Sequence, residues 1–152
     1  MKTQLTLDLE KTLYAYWQEQ GATVVEEVTM PDNRGIVDTL VRQKQQDATI
    51  WRCFELKVTK ADFHSSAKLS FIGHYNYFVL SQRLYTAVAS EIPHGIGVFT
   101  YHPFSKAAIA ASAVPVVTPG TLTIAKPARR QELQVPEATL TDHFIASLNR
   151  EV

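Results

Sequence analysis

The chain has 152 residues, enough for one domain with a hydrophobic core. Its 15 basic and 15 acidic residues give a formal net charge of +0, which argues against a globally basic nucleic-acid binder but permits a local basic patch. The single cysteine, Cys53, excludes an internal disulfide and favours a reducing, cytoplasmic location. No segment approaches the roughly 20 apolar residues of a membrane span, and residues 1–5 lack a signal-peptide core.

The first part of the chain predicts one helix and three strands. Apolar residues recur at helical spacing over 8–20, and Gly21 ends the run. The residues of 31–35 are typical of a turn, and the polar residues 43–49 predict a hairpin loop. The three strands are predicted at 24–30, 36–42 and 50–58.

The next part alternates helices with strands. Thr59 and Asp62 fit a helix-capping pattern that predicts a helix over 59–73, which Gly73 ends. Ser81 caps a further predicted helix, whose inward residues end at Ile92. Strands are predicted at 75–80 and 95–101.

The element order α-β-β-β-α-β-α-β predicts an α/β fold, in which a mixed sheet is flanked by helices. We expect a single domain over 1–152, with its core at about 8–101 and a C-terminal extension at 102–152. In that extension, an edge strand is predicted near 122–124 and a closing amphipathic helix over 139–150.

Two charged residues interrupt the third predicted strand, at Glu55 and Lys57. Side chains two residues apart share a face of a strand, so both point the same way. If the hairpin is symmetric about Gln46 and Asp47, Asp38 lies opposite Glu55 at roughly 5 Å. Buried charges are costly and are retained mostly where chemistry or a metal ion requires them.

The predicted cluster has the parts for metal-assisted hydrolysis of a phosphodiester. Mg²⁺ binds one or two carboxylates together with waters and phosphate oxygens, so Asp38 and Glu55 are the expected ligands of Mg²⁺ or Mn²⁺. The carbonyl group of Leu56 is a further expected ligand. Lys57 is then expected to orient the attacking water or to neutralise the phosphate.

The pattern of Asp38 followed by Glu55-Leu56-Lys57 resembles the PD-(D/E)xK nuclease superfamily, which has the restriction-endonuclease-like fold. Residues 55–63, followed by Lys68 and 77–80, resemble its MmcB-type branch, which is linked to DNA repair, and small nuclease-like proteins of Gram-positive phages and prophages. The similarity covers about residues 10–101. It implies a DNA substrate and leaves a homodimer open.

In this superfamily the first helix often contributes a third acid, so the resemblance implies Glu10 as a ligand ahead of Glu19. A literal Pro-Asp pair places Asp32 in the predicted turn, which makes it a weaker ligand candidate than Asp38.

Lys60, His64 and Lys68 recur every four residues and so form one stripe on the helix predicted over 59–73. This stripe is expected to contact DNA phosphates. A solvated helix face is the alternative for these three residues.

The charged cluster also has a structural alternative, since Asp38, Glu55 and Lys57 can form a buried ion pair without catalysis. A non-catalytic DNA-binding or assembly module with the nuclease fold is the second functional hypothesis, and a structural phage protein is the third.

Overall fold

Six strands form one mixed sheet in the order β1-β2-β3-β4-β5-β6 in the computed structural model, which describes residues 2–65 and 69–150. The strands are β1 Thr23–Thr29, β2 Ile36–Gln45, β3 Ala48–Leu56, β4 Tyr75–Ser81, β5 Gly97–Pro103 and β6 Gly120–Lys126. The β1–β2, β2–β3 and β5–β6 pairs are antiparallel, whereas β3–β4 and β4–β5 are parallel. The predicted α/β class with a mixed sheet is confirmed.

Helices cover both faces of this sheet. They are α1 Gln4–Glu19, α2 Lys60–Phe63, α3 Gln82–Val88, α4 Lys106–Ala111 and α5 Glu137–Arg150, with a 3₁₀ turn at Ala89–Glu91. Within the described ranges, no helix has the length and apolar character needed to cross a membrane.

The β2–β3 hairpin is tighter than predicted. Gln45 pairs with Ala48, and Gln46 adopts a positive φ of 56°, so the predicted loop at 43–49 is wrong. A left-handed residue allows a short turn between antiparallel strands, and the polar residues before it therefore continue the ladder. Thr39 pairs with Phe54, which is the register expected from symmetry about Gln46 and Asp47.

Alternate residues of β3 supply different hydrophobic clusters, as strand geometry requires. Phe54 packs with α1 through Trp17, at a ring-centroid distance of 5.9 Å. Trp51 and the fully buried Cys53 pack on the other face, where the Phe144 ring of α5 lies edge-on to Trp51 at 5.2 Å. Burial raises the pKa of the Cys53 thiol to about 12, which agrees with its predicted core role.

The helix predicted over 59–73 is wrong, because α2 ends at Phe63. The N-cap is as expected, with the Thr59 hydroxyl accepting a hydrogen bond from the Asp62 amide. Further on, the Ile72 carbonyl accepts from the Gln134 amide and the Gly73 amide donates to the Asn76 side chain. These tertiary hydrogen bonds replace the helical ones.

The C-terminal third of the chain is part of the same core. β6 is an edge strand, as predicted, and α5 buries Leu140 and Phe144 against β1 and β3. Two α5 side chains also bond to carbonyls near the outer edge of the sheet: His143 Nδ1 lies 2.8 Å from the Thr29 oxygen, and Arg150 donates to Glu27 at 3.0 Å.

Candidate functional site

Asp38 lies where β2 and β3 separate. The last backbone pair of their ladder is Thr39 with Phe54, and beyond it the Asp38 carboxylate accepts a hydrogen bond from the Leu56 amide at 2.8 Å. The side chain therefore bridges the diverging strands and satisfies an amide that the ladder leaves free. This bond fixes one carboxylate oxygen beside the end of β3.

Glu55 is the most perturbed acid of the site, with 4% of the residue exposed. Burial, together with the charge and hydrogen bond of Asp38, raises the pKa of the Glu55 carboxyl to about 9. The Ser70 amide, which donates to Glu55 Oε1 at 3.2 Å, and the Lys57 charge oppose this rise. The two acids thus interact directly, and their contact disfavours ionisation of both carboxyl groups at once.

Lys57 follows β3 and is 7% exposed. Its amide donates to the Val79 carbonyl of β4 at 3.2 Å, which fixes the backbone beside the sheet. Its ammonium nitrogen lies 3.9 Å from Asp62 Oδ1. The structure therefore brings Asp38, Glu55 and Lys57 together, as the predicted register requires.

Asp62 is a site residue that sequence reasoning treated only as a helix cap. Its Oδ2 accepts from the Val58 amide at 3.1 Å, while Oδ1 faces Lys57. The signal available in the sequence was an acid five residues after Lys57, at the start of a helix. Asp62 also lines the same cavity as Asp38 and thus adds negative charge to the site.

Glu10 projects from α1 into this cavity, which has a volume of about 320 Å³. The cavity is lined by Lys2, Thr3, Thr6, Glu10, Asp38, Leu56, Val58 and Asp62. Lys2 holds Glu10 through an ion pair of 2.5 Å and reaches Glu27 at 3.4 Å. A lysine from the start of the chain therefore neutralises the acid expected as the third ligand.

Only some of the metal ligands expected from the sequence lie close together. Among residues 2–65 and 69–150, no group of three or more Asp, Glu, His or Cys side chains could hold one ion, so Glu10 does not join Asp38 and Glu55 as a third acid. Two carboxyl groups and the nearby Leu56 carbonyl are all hard oxygen donors. That donor set fits Mg²⁺ or Mn²⁺, which keep several water ligands.

The three residues expected to contact DNA do not form the predicted stripe in the described part of the chain. Lys60 is exposed at the start of α2, while His64 Nε2 lies 2.6 Å from Glu91 Oε1 of the 3₁₀ turn. Lys68 lies outside the described residues. The stripe predicted on one long helix face is therefore absent from the described segment, because α2 has a single turn.

The two weaker acid candidates lie apart from this cavity. Asp32 is exposed in the turn after β1, with a positive φ of 58°, and Glu19 is exposed at the end of α1. No protein-family model matches the chain, and no curated protein matches it. The case for a function therefore depends on the geometry around Asp38, Glu55 and Lys57.

Proposed function

We propose that the protein is a nuclease that depends on a divalent metal ion and hydrolyses DNA phosphodiester bonds. The observation that supports this most directly is the contact of the buried Glu55 with Asp38, with the buried Lys57 beside them. Two carboxyl groups in contact disfavour their charged forms, whereas a divalent cation between them reverses this effect. A purely structural role would be served as well by apolar residues.

Each residue has a defined role in the proposed reaction. Asp38, Glu55 and the Leu56 carbonyl would hold Mg²⁺ or Mn²⁺, which when bound makes water more acidic and stabilises charge on a phosphate. The Lys57 ammonium, positioned by Asp62, orients the attacking water or neutralises the phosphate oxygens. Glu10, which is paired with Lys2, lies outside this ligand set.

The substrate and setting follow from the sequence resemblance. The exposed Lys60, together with Lys68 and His64, would contact the DNA backbone, the two lysines as point charges. We place the enzyme in the cytoplasm, in DNA repair or in a phage or prophage context. A homodimer would supply two such centres for the two strands of a duplex.

The test is cleavage of supercoiled plasmid and of end-labelled single-stranded DNA with Mg²⁺ or Mn²⁺. Wild-type protein is expected to cut, EDTA to stop it, and Lys57→Ala to lower the rate by about 10² to 10⁴. Lys44→Ala is the matched control, because Lys44 is exposed near the hairpin turn, and it should cut like wild type. Equal cutting by wild type and Lys57→Ala contradicts the proposed role.

A non-catalytic DNA-binding module is the second candidate, and one observation favours it. Lys2 forms an ion pair with Glu10 in the same cavity as Asp38, so a protein cation already balances part of the acidic charge. In that case DNA is retained by wild type and by Lys57→Ala, and neither protein cuts with either metal. Gel-shift and cleavage assays on the same samples distinguish the two functions.

A further inference from the structure

A second polar cluster surrounds the first residue of β4, and we call Arg52, His74, Tyr75 and Arg130 the Tyr75 cluster. Arg52 pairs with Tyr75 across the β3–β4 ladder. The Arg52 guanidinium lies 5.4 Å from the Tyr75 ring centroid and 4.5 Å from that of Trp17. The Arg130 guanidinium lies 5.8 Å from the same Tyr75 ring. Two cations therefore converge on one aromatic side chain.

The two arginines have no carboxylate partner in the described part of the chain. The ion pairs found there involve Lys2, Lys57 and His64 as cations, and none involves an arginine. Arg52 donates to the neutral Gln43 side chain at 2.7 Å. Within the described residues, neither guanidinium therefore has a protein carboxylate that balances its charge.

His74 adds a neutral donor to the two cations. The Trp51 amide donates to His74 Nδ1 at 3.0 Å, so the neutral ring carries its proton on Nε2. That Nε2–H group has no hydrogen-bond partner within the described residues. Burial and the charges of Arg130 and Arg52 lower the pKa of His74, which keeps the ring neutral.

A cavity of about 500 Å³ lies beside this cluster, within the size range of small-molecule sites. It is lined by His74, Arg130, Gln131, Glu132 and Leu133. Its wall is fixed, because the Gln131 amide donates to the His74 carbonyl at 2.9 Å and the Gln131 side chain to the Gly73 carbonyl at 2.9 Å.

Two acids lie near this cavity, and neither prevents an anion from binding in it. Glu132 lines the cavity but is exposed to solvent, where its charge is screened. Glu137 accepts a hydrogen bond from the Trp51 indole at 3.0 Å. The other charged residue of the lining, Arg130, is positive.

We propose that the cavity beside the Tyr75 cluster binds a phosphate group, carried either by a nucleic-acid strand or by a nucleotide. Arg130 neutralises its charge with planar guanidinium donors, and His74 Nε2–H donates to a further oxygen. This cavity is distinct from the one at Asp38, because the two cavities share no lining residue. The inference stands whether or not the protein cleaves DNA.

The test measures equilibrium binding in EDTA, where no metal-dependent cleavage occurs. The probes are a fluorescein-labelled single-stranded 15-nucleotide DNA, followed by anisotropy, and ATP, followed by calorimetry. Arg130→Ala is expected to weaken binding of at least one probe about tenfold, and Arg130→Glu more strongly, because the phosphate loses a guanidinium. Arg83→Ala is the matched control, because Arg83 is exposed on α3, and it should change affinity less than twofold.

Each outcome decides the inference. An effect of Arg130→Ala on DNA alone identifies a nucleic-acid strand as the source of the phosphate, and an effect on ATP alone identifies a nucleotide. Binding of neither probe by wild type, or equal weakening by the Arg130 and Arg83 variants, overturns it. The plasmid assay is separate, so loss of the nuclease proposal leaves this result unaffected.

Discussion

Glu55 links the free energy of unfolding to pH. Burial and the Asp38 carboxylate raise the pKa of Glu55 from 4.5 to about 9, so the folded protein keeps a proton that the unfolded chain releases. The unfolded state therefore binds fewer protons between these values, and stability falls as pH rises through that window. Below pH 4.5 and above pH 9 this group adds no further pH dependence.

Glu55→Gln tests this linkage without changing the shape of the side chain much. In EDTA at pH 8.5 the variant is expected to gain several kcal/mol over wild type, because the folded wild type must keep Glu55 protonated at a pH where its unfolded chain has released the proton. At pH 4.5 the two proteins should have nearly equal stability. Urea unfolding at both pH values measures the difference, with the exposed Glu19→Gln as control; an equal stability at pH 8.5 would show that Glu55 is not buried beside Asp38.

At the scale of elements, close packing between neighbouring strands positions the ends that carry the site. Gly97 of β5 pairs with Tyr77 of β4, and a β-carbon on Gly97 would lie 2.5 Å from the Tyr77 ring and 2.6 Å from the Ala128 amide nitrogen. The Tyr77 ring cannot easily retreat, because it stacks on Phe54 at 5.2 Å. The parallel β3–β4–β5 arrangement therefore depends on a glycine at position 97, where a side chain would not fit.

Gly97→Ala is expected to destabilise the protein by about 3 kcal/mol, since it overpacks three elements at once. Gly21→Ala is the comparison, because Gly21 has open space around it and only a positive φ of 76°, for which about 1 kcal/mol is expected. Chemical denaturation of both variants separates crowding from backbone strain. A smaller effect at Gly97 than at Gly21 would contradict the packing described for β4 and β5.

At the scale of the whole molecule, the C-terminal third adds an edge strand to the sheet and covers part of it. β6 pairs with β5, the segment after it is hydrogen-bonded beside β4, and α5 covers Trp51 through Leu140 and Phe144. The contacts of α5 with Trp51 join residues more than 80 positions apart. The expected core at about 8–101 therefore needs the later residues to bury its second face.

A chain ending at residue 126 is expected to lose cooperative unfolding, because Trp51 and its neighbours would lose the α5 cover. Far-UV circular dichroism during heating and the wavelength of tryptophan emission measure this loss. Phe144→Ala in the full chain is the milder comparison, with an expected cost of about 3 to 5 kcal/mol. A sharp melting transition in the shortened chain would show that α5 is dispensable.

Features set by local chemistry were predictable from the sequence. The symmetry of the β2–β3 turn was enough to predict the register, which the ladder follows as far as Thr39 and Phe54. The caps at Thr59 and Ser81 were equally local, since each hydroxyl bonds an amide three residues ahead.

Only the tertiary structure decided the other features. The single turn of α2, the Lys2–Glu10 ion pair and the approach of Arg130 to Tyr75 each depend on residues from distant parts of the chain. Periodicity records only which way neighbouring side chains point, and it carries no information about which remote segment arrives beside them. Burial of Glu55 beside Asp38 depends on both sequence and tertiary structure. The strand register is a local feature, whereas the exclusion of water from Glu55 depends on the whole fold.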